Sequence, residues 1–323
     1  MKLSLDKWDL DHLQTHLQAA AELEAWTIPF YLSAMTSIVN TDSEAYALIR
    51  SVVNQEMLHL QLVSNIANSY GYSPRIGPEV FVYEGTTVPH LDFTLDPSGP
   101  TGQFAPYSAE IGPLDELRIN AMCLIEYPEW DTGGRPDFHD TVSEYGSIGE
   151  FYDALEYGAA LFVEHIKGGV NQVNWFDDAY DGLTLTVSKN GVHGLAEVAL
   201  LLDIVRDQGE AAKEVDAIKK EFQSSKDDPE PAASHYEKFM KIRAEGPPAT
   251  YEVKDPALYS PDDLALQNSV VEKFAHLTDA LTVFLSGGDD KEFGKVMAPL
   301  ADDLQACWKQ GVAPRFNRPP DPR

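Results

Sequence analysis

The sequence predicts a mainly α protein: a four-helix bundle with a long loop and β insertion, closed by a C-terminal helical hairpin. Three observations carry this. Apolar residues recur at a helical period over 10–70, a Gly- and Pro-rich stretch over 72–113 breaks that period, and two amphipathic stretches follow Pro261. The chain is expected to divide into a bundle with insertions over 1–245 and a hairpin with a tail, packed on it, over 246–323.

The first helix presents Leu13, Leu17, Ala20, Ile28 and Tyr31 on one stripe, with Glu24 at its centre. Pro29 leaves the carbonyl of Ala25 without its usual donor and is expected to widen the helix there. The second helix is expected to open at Thr41, with Glu44 completing a capping box, and to end near Gly71. Its stripe reads Leu48, Val52, Glu56, His59, Val63, Ile66.

A carboxylate and an imidazole on one apolar helix face cost several kcal/mol to bury without partners, and a shared cation removes that penalty. The register agrees. Glu24 lies about as far before the end of its helix as Glu56 lies after the start of the next, so an antiparallel hairpin brings both to one level. Glu-x-x-His arises by chance on solvated helix faces; an inward Glu on the preceding helix is what distinguishes this one. A Glu facing a Glu-x-x-His is half of a ferritin-like dinuclear carboxylate site, and the other half must lie downstream.

Between Gly71 and about Pro113, Val80 to Tyr83 and Leu91 to Leu95 read as short β-like runs, either in a decorated connection or in a substrate lid. A helix from Leu114 ends before Pro128 and carries Glu126 at its end, as a group supporting the cluster or as a plain helix-end carboxylate. Ser147 can cap the next helix, with Glu150 in its first turn and Glu164 on the same face one helix length away. After a hairpin expected over Leu183 to Val192, a helix from His193 to about Gly209 delivers Glu210, which an antiparallel partner would set beside Glu150.

No second Glu-x-x-His exists, so the remaining imidazole must come from elsewhere. His235, after the charged loop Asp227 to Pro231, is the preferred candidate; His165 lies four turns from Glu150, or about 20 Å at 1.5 Å per residue. His12, His16, His90, His139, His193 and His276 show no ligand spacing. The segments ALQNSVVEKFAHLTDALTVFLSG and KEFGKVMAPLADDLQACWKQG form the closing hairpin, and the tail APRFNRPPDPR is too rich in Pro and charge for regular structure.

Composition excludes several partners. A formal charge of −28, from 52 acidic against 24 basic residues, repels nucleic acid and anionic membranes. No apolar run has the length of a signal peptide or a transmembrane span, so a cytoplasmic location is expected. Cys123 and Cys307 are the only cysteines, which leaves no disulfide framework and no thiolate motif, and favours iron, manganese or another ion preferring N and O donors over structural zinc.

The segments EAWTIPFYLSAMTSI and QEMLHLQLVSNIANSYGYSP resemble the ferritin-like domain family that includes the iminophenyl-pyruvate dimer synthase of violacein biosynthesis, and the likeness extends through IGEFYDAL, RDQGEAA and SHYEKFMKI. The resemblance implies a metal-binding bundle associated with natural-product pathways, with Glu24, Glu56, His59, Glu150, Glu210 and His235 at the motif positions. The expectation is a non-haem dimetal enzyme, with two Fe ions, or Mn or a mixed pair, that uses O2 to oxidise a small amino-acid-derived metabolite. Glu24 and Glu56 bridge or cap the ions, His59 and His235 supply nitrogens, and four carboxylates balance two divalent charges. Tyr31 lines the cavity as a hydrogen-bond donor. The alternatives are a ferroxidase or iron-binding protein, and an imine-dimer synthase-like coupling enzyme. The substrate is a small molecule, and a homo-oligomer remains open.

Overall fold

The computed structural model describes residues 2–4, 7–88, 100–127, 138–145, 148–180, 182–209, 218–224, 228–289 and 291–317. Asp9 opens α1 (Leu10–Thr36): its carboxylate accepts from the His12 backbone N–H at 3.0 Å, and the His12 ring faces back to the Asp9 backbone, completing a capping box. From Leu13 to Thr36 most side chains of α1 are buried, because neighbours cover it on several sides. Pro29 sits within α1, which runs through it without a break.

The second helix, α2 (Glu44–Ser69), is capped by Ser43 and not by Thr41. Residues 40–43 close their own turn, with the Ser43 N–H on the Asn40 carbonyl at 3.1 Å, so the first free cap position comes at its end. Gly71 adopts φ +76°, a left-handed conformation suited to glycine, where the chain leaves α2. Burial of α2 is nearly complete from Ser51 to Ser69.

The second half of the bundle consists of two interrupted helices. Glu116–Ile125 forms α3 and Ile148–Leu161 forms α4; Gly191–Gln208 forms α5 and His235–Glu245 forms α6. Helix α3 packs on α6, α4 packs on α5, α4 also meets α1, and α2 receives both α5 and α6. The described part of the α3–α4 connection, residues 138–145, packs against Trp8 and against His12 and His16 at the start of α1. The C-terminal pair α7 (Pro261–Leu285) and α8 (Lys291–Lys309) packs against α2 and α1. Trp308 anchors it, fully buried, with its indole N–H on Thr36 Oγ1 at 3.1 Å.

The expected β-like run over 80–83 is not a strand. Pro78–Val80 is a short 3-10 turn, and the chain beyond it finds its partner in a side chain: the Trp26 indole donates to the Val82 carbonyl at 2.9 Å, while Tyr83 Oη donates to the Trp26 carbonyl at 2.8 Å. The run at 91–95 lies outside the described residues. Among them, the sheet is a two-stranded antiparallel pair, β1 (Lys2–Leu3) with β2 (Phe138–His139). Nor do residues 183–192 form a hairpin. Asn65 on α2 holds that region by donating to the carbonyls of Val173 (2.7 Å) and Leu185 (2.9 Å), which replaces a strand ladder with one buried amide. No helix among the described residues is long and apolar enough to cross a membrane.

Candidate metal centre

Five titratable side chains meet in the bundle interior: Glu24 from α1, Glu56 and His59 from α2, Glu126 from the end of α3, and His235 from the start of α6. All are at most 2% exposed. One turn separates Glu56 from His59, so both share the face of α2 that looks across to Glu24. His235 occupies the first helical position of α6 because Ser234 caps that helix and Glu237 completes the capping box.

The donor atoms converge. Glu56, His59 and His235 each offer a ligand atom, all within 4.8 Å of one another. His235 Nδ1 lies 2.8 Å from Glu56 Oε1 and 3.3 Å from Glu126 Oε2, and His59 Nδ1 lies 3.5 Å from Glu24 Oε2. The imidazole rings stack with centroids 5.3 Å apart. Gly209 borders both; a Cβ there would come within 3.4 Å of His59 Cε1 and 3.7 Å of His235 Nδ1.

Neighbouring groups orient the ligand atoms. Gln208 Nε2 donates to the Phe222 carbonyl at 2.5 Å, so its Oε1 is the atom that accepts from His59 Nε2 at 3.0 Å. The proton of a neutral His59 then sits on Nε2, and the Nδ1 lone pair faces Glu24. Thr27 Oγ1 donates to Glu56 Oε2 at 2.7 Å, Tyr31 Oη donates to Glu126 Oε1 at 2.6 Å, and Tyr152 Oη donates to Glu24 Oε1.

This donor set fits a bound cation. A lone pair on His59 Nδ1 turned toward a carboxylate is repulsive unless a proton or metal lies between, and His235 Nε2 is buried without a hydrogen-bond partner among the described residues. Burial and the neighbouring charges of Glu126 and Glu24 push the Glu56 carboxyl well above its usual range, a penalty on the carboxylate that a cation would relieve.

The structure brings together Glu24, Glu56, His59 and His235, with Tyr31 beside them through Glu126. Glu150 is not brought to this cluster. Its Oε1 lies 3.8 Å from His139 Nε2, toward the N-terminal strand pair. The helical period explains it: Tyr152, two residues on, points the other way, and it is Tyr152 that reaches Glu24. Glu210 lies outside the described residues. Glu126 fills the place of the third carboxylate, and its position at the end of an apolar helix was the signal for it. Nothing in the spacing marked Thr27, Tyr152, Gln208 or Gly209.

A carboxylate and imidazole cluster between the paired helices of a four-helix bundle defines a ferritin-like protein, and the family comparison agrees. The model of the Ferritin-like family matches residues 17–244, and the chain belongs to that family. It is similar over most of its length to a ferritin-like protein from Caulobacter vibrioides known from a crystal structure. The two are 43% identical, the match covers 96% of this chain and 99% of that one, and the TM-score is 0.82. No curated protein matches the chain.

Proposed function

We propose that the protein is a dinuclear non-haem metal oxidoreductase, with iron as the favoured metal and manganese or a mixed pair as alternatives, acting with O2 on a small organic molecule. The observation that carries this reading is the convergence of three buried carboxylates and two buried imidazoles on one point, two of the carboxylates oriented by tyrosine hydroxyls. Glu24, Glu56, Glu126, His59 and His235 would hold the ions, with Glu210 as a further candidate. The chemistry such ions supply when bound is the activation of O2 for oxidation.

The chain's own residues have distinct tasks in this scheme. Gln208 fixes the His59 tautomer, Thr27 and the two tyrosines hold carboxylate oxygens in place, and the apolar walls of α1 and α2 exclude water. The Tyr31 and Tyr152 hydroxyls are also the nearest proton sources to Glu126 and Glu24. The resemblance to the family containing the iminophenyl-pyruvate dimer synthase supports a place in natural-product biosynthesis and an amino-acid-derived substrate.

Anaerobic loading with Fe(II), followed by metal analysis and O2 uptake, tests the proposal. We expect about two metals per chain and O2 consumption stimulated by substrate. Protein that binds no stoichiometric metal overturns it, and so does a large shell that accumulates hundreds of irons.

A further inference from the structure

A cavity of about 490 Å³ lies between α1 and α2 on one side and the α7–α8 hairpin on the other, and none of the five residues of the metal centre lines it. Its size is that of a pocket for a small ligand. Most of its wall is apolar: Ile28 and Leu32 come from α1, Leu60 from α2, and Leu277, Leu281 and Met297 from the hairpin. Pro29, which no backbone feature of α1 requires, lines it too.

Two buried amides break the apolar wall. Gln61 and Gln55 are each 1% exposed, both line the cavity, and the Nε2 of Gln61 has no hydrogen-bond partner among the described residues. Neither amide is free to flip. Gln61 Oε1 accepts from the Trp175 backbone N–H at 2.7 Å, and Gln55 Oε1 accepts from Lys238 Nζ at 3.0 Å; turned over, each would set an NH2 against a donor. A buried donor without an acceptor is costly, and such groups in a pocket commonly fix the orientation of a ligand. The hydroxyl of Tyr180 interacts with Gln55 from the same wall, so Gln61 is the amide whose donor stands without any partner among the described residues.

The charge at that end is neutralised internally. Lys238 is fully buried, with its ammonium 2.9 Å from Asp228 Oδ2, and the Asp228 side chain is itself buried. Arg50 also lines the cavity but is exposed to solvent, so a buried anion would find no buried uncompensated cation there, whereas a neutral oxygen would find an amide donor. The same end connects to the metal centre: Gln55 precedes Glu56, and Gln208, which holds His59, lies 3.4 Å from Tyr180 Oη.

We propose that this cavity binds an uncharged, largely apolar small molecule through a carbonyl oxygen that accepts from Gln61. Binding of this class of molecule stands on the cavity alone; its identity as the substrate class rests on the oxidoreductase reading above.

The test is titration calorimetry of the full chain with 4-phenylbutan-2-one, which carries a phenyl group and one ketone oxygen, and with 4-phenylbutyrate as the anionic counterpart. We expect saturable binding of one 4-phenylbutan-2-one per chain, with metal-free and metal-loaded protein alike, and weaker binding of the carboxylate. Loss of the Gln61 donor in Gln61→Leu should weaken binding about fivefold, as expected for one neutral hydrogen bond. Because Gln61→Leu also deprives the Trp175 N–H of its acceptor, Gln61→Glu is the companion variant; it keeps that acceptor, turns an oxygen toward the ligand and should weaken binding at least as much. The double variant Leu277→Trp/Leu281→Trp, which fills the apolar end from the hairpin side, should abolish it. No saturable binding, or binding indifferent to the tryptophans, overturns the site. Full affinity in both Gln61 variants, or tighter binding of the carboxylate, overturns the neutral-oxygen assignment. Intact ketone binding in protein that takes up no metal would refute the oxidoreductase reading alone, whereas stoichiometric metal without ketone binding would refute this inference alone.

Discussion

Replacing Glu56 by Gln separates a metal ligand from a merely buried polar group, because the two roles predict opposite results. In the metal-free protein, burial and the charges of Glu126 and Glu24 raise the Glu56 pKa well above its usual value and so favour its protonated form. Gln is close in shape to a protonated Glu, so Glu56→Gln should move the metal-free Tm by no more than about 2 °C, since near-isosteric neutral swaps cost little. With metal the situation reverses, since the substitution removes an anionic ligand. An ion at a hundred times its Kd stabilises the native state by about 2.7 kcal/mol. Unfolding entropy of about 2.1 cal/mol/K per residue, over 323 residues, turns that into a rise of about 4 °C. Calorimetric scans of wild type and Glu56→Gln, with and without anaerobic Fe(II), should show that rise in the wild type and less than about 1 °C in the variant. A variant that keeps both stoichiometric metal and the full rise refutes the ligand assignment. A metal-free variant that loses many degrees refutes the protonation argument.

Tyr152→Phe removes the hydroxyl that holds Glu24 and should lower metal affinity about tenfold with little loss of stability, measured by competition with a chelator; unchanged affinity would remove the orienting role. His16 is fully buried, and desolvation lowers its pKa to about 4. The unfolded chain therefore binds the proton first, and stability present above about pH 6.5 should fall by about 3 kcal/mol as pH drops toward 4. Urea unfolding across that range should show the slope in the wild type and a reduced one in His16→Phe, and equal slopes would refute it. Trp308→Ala empties the anchor of the C-terminal hairpin and should cost about 3–5 kcal/mol in the same assay. A cost under about 1 kcal/mol would show that the hairpin is held elsewhere, since that is the scale of an ordinary surface substitution.

The half of the site on α1 and α2 was legible in the sequence because both helices are unbroken, so one period fixes Glu24, Glu56 and His59 relative to each other. The other half lies on interrupted helices, where periodicity stops at each break and the register must be guessed. His235 is reached by a different route, as the nearest imidazole after the charged loop once no second Glu-x-x-His is present, and the Ser234 and Glu237 capping box is what places it at a helix start. Glu150 drew attention as an acidic residue in a first turn, yet there the helix turns Tyr152 inward instead. Spacing cannot detect such a substitution of a phenol for a carboxylate. The insertion failed for a different reason: Val82 and Tyr83 have strand-like side chains, but their hydrogen bonds are met by Trp26. Buried amides such as Asn65 and Gln208 follow no period, and they hold loops that a pattern of apolar residues reads as hairpins.

The helix ends themselves argue for a cation at this point. Glu126 caps the C-terminal end of α3, the negative end of the helix dipole, where a carboxylate is disfavoured, and burial adds to that penalty. His235 stands at the N-terminal end of α6, the positive end of that helix dipole, where a neutral imidazole can offer its lone pair to a metal. A divalent ion at their meeting point satisfies both dipoles as they stand: it compensates the carboxylate and takes the imidazole lone pair. The end of α3 and the start of α6 are what set these two groups against Glu56, and continuous helices through those positions would have no such termini to supply.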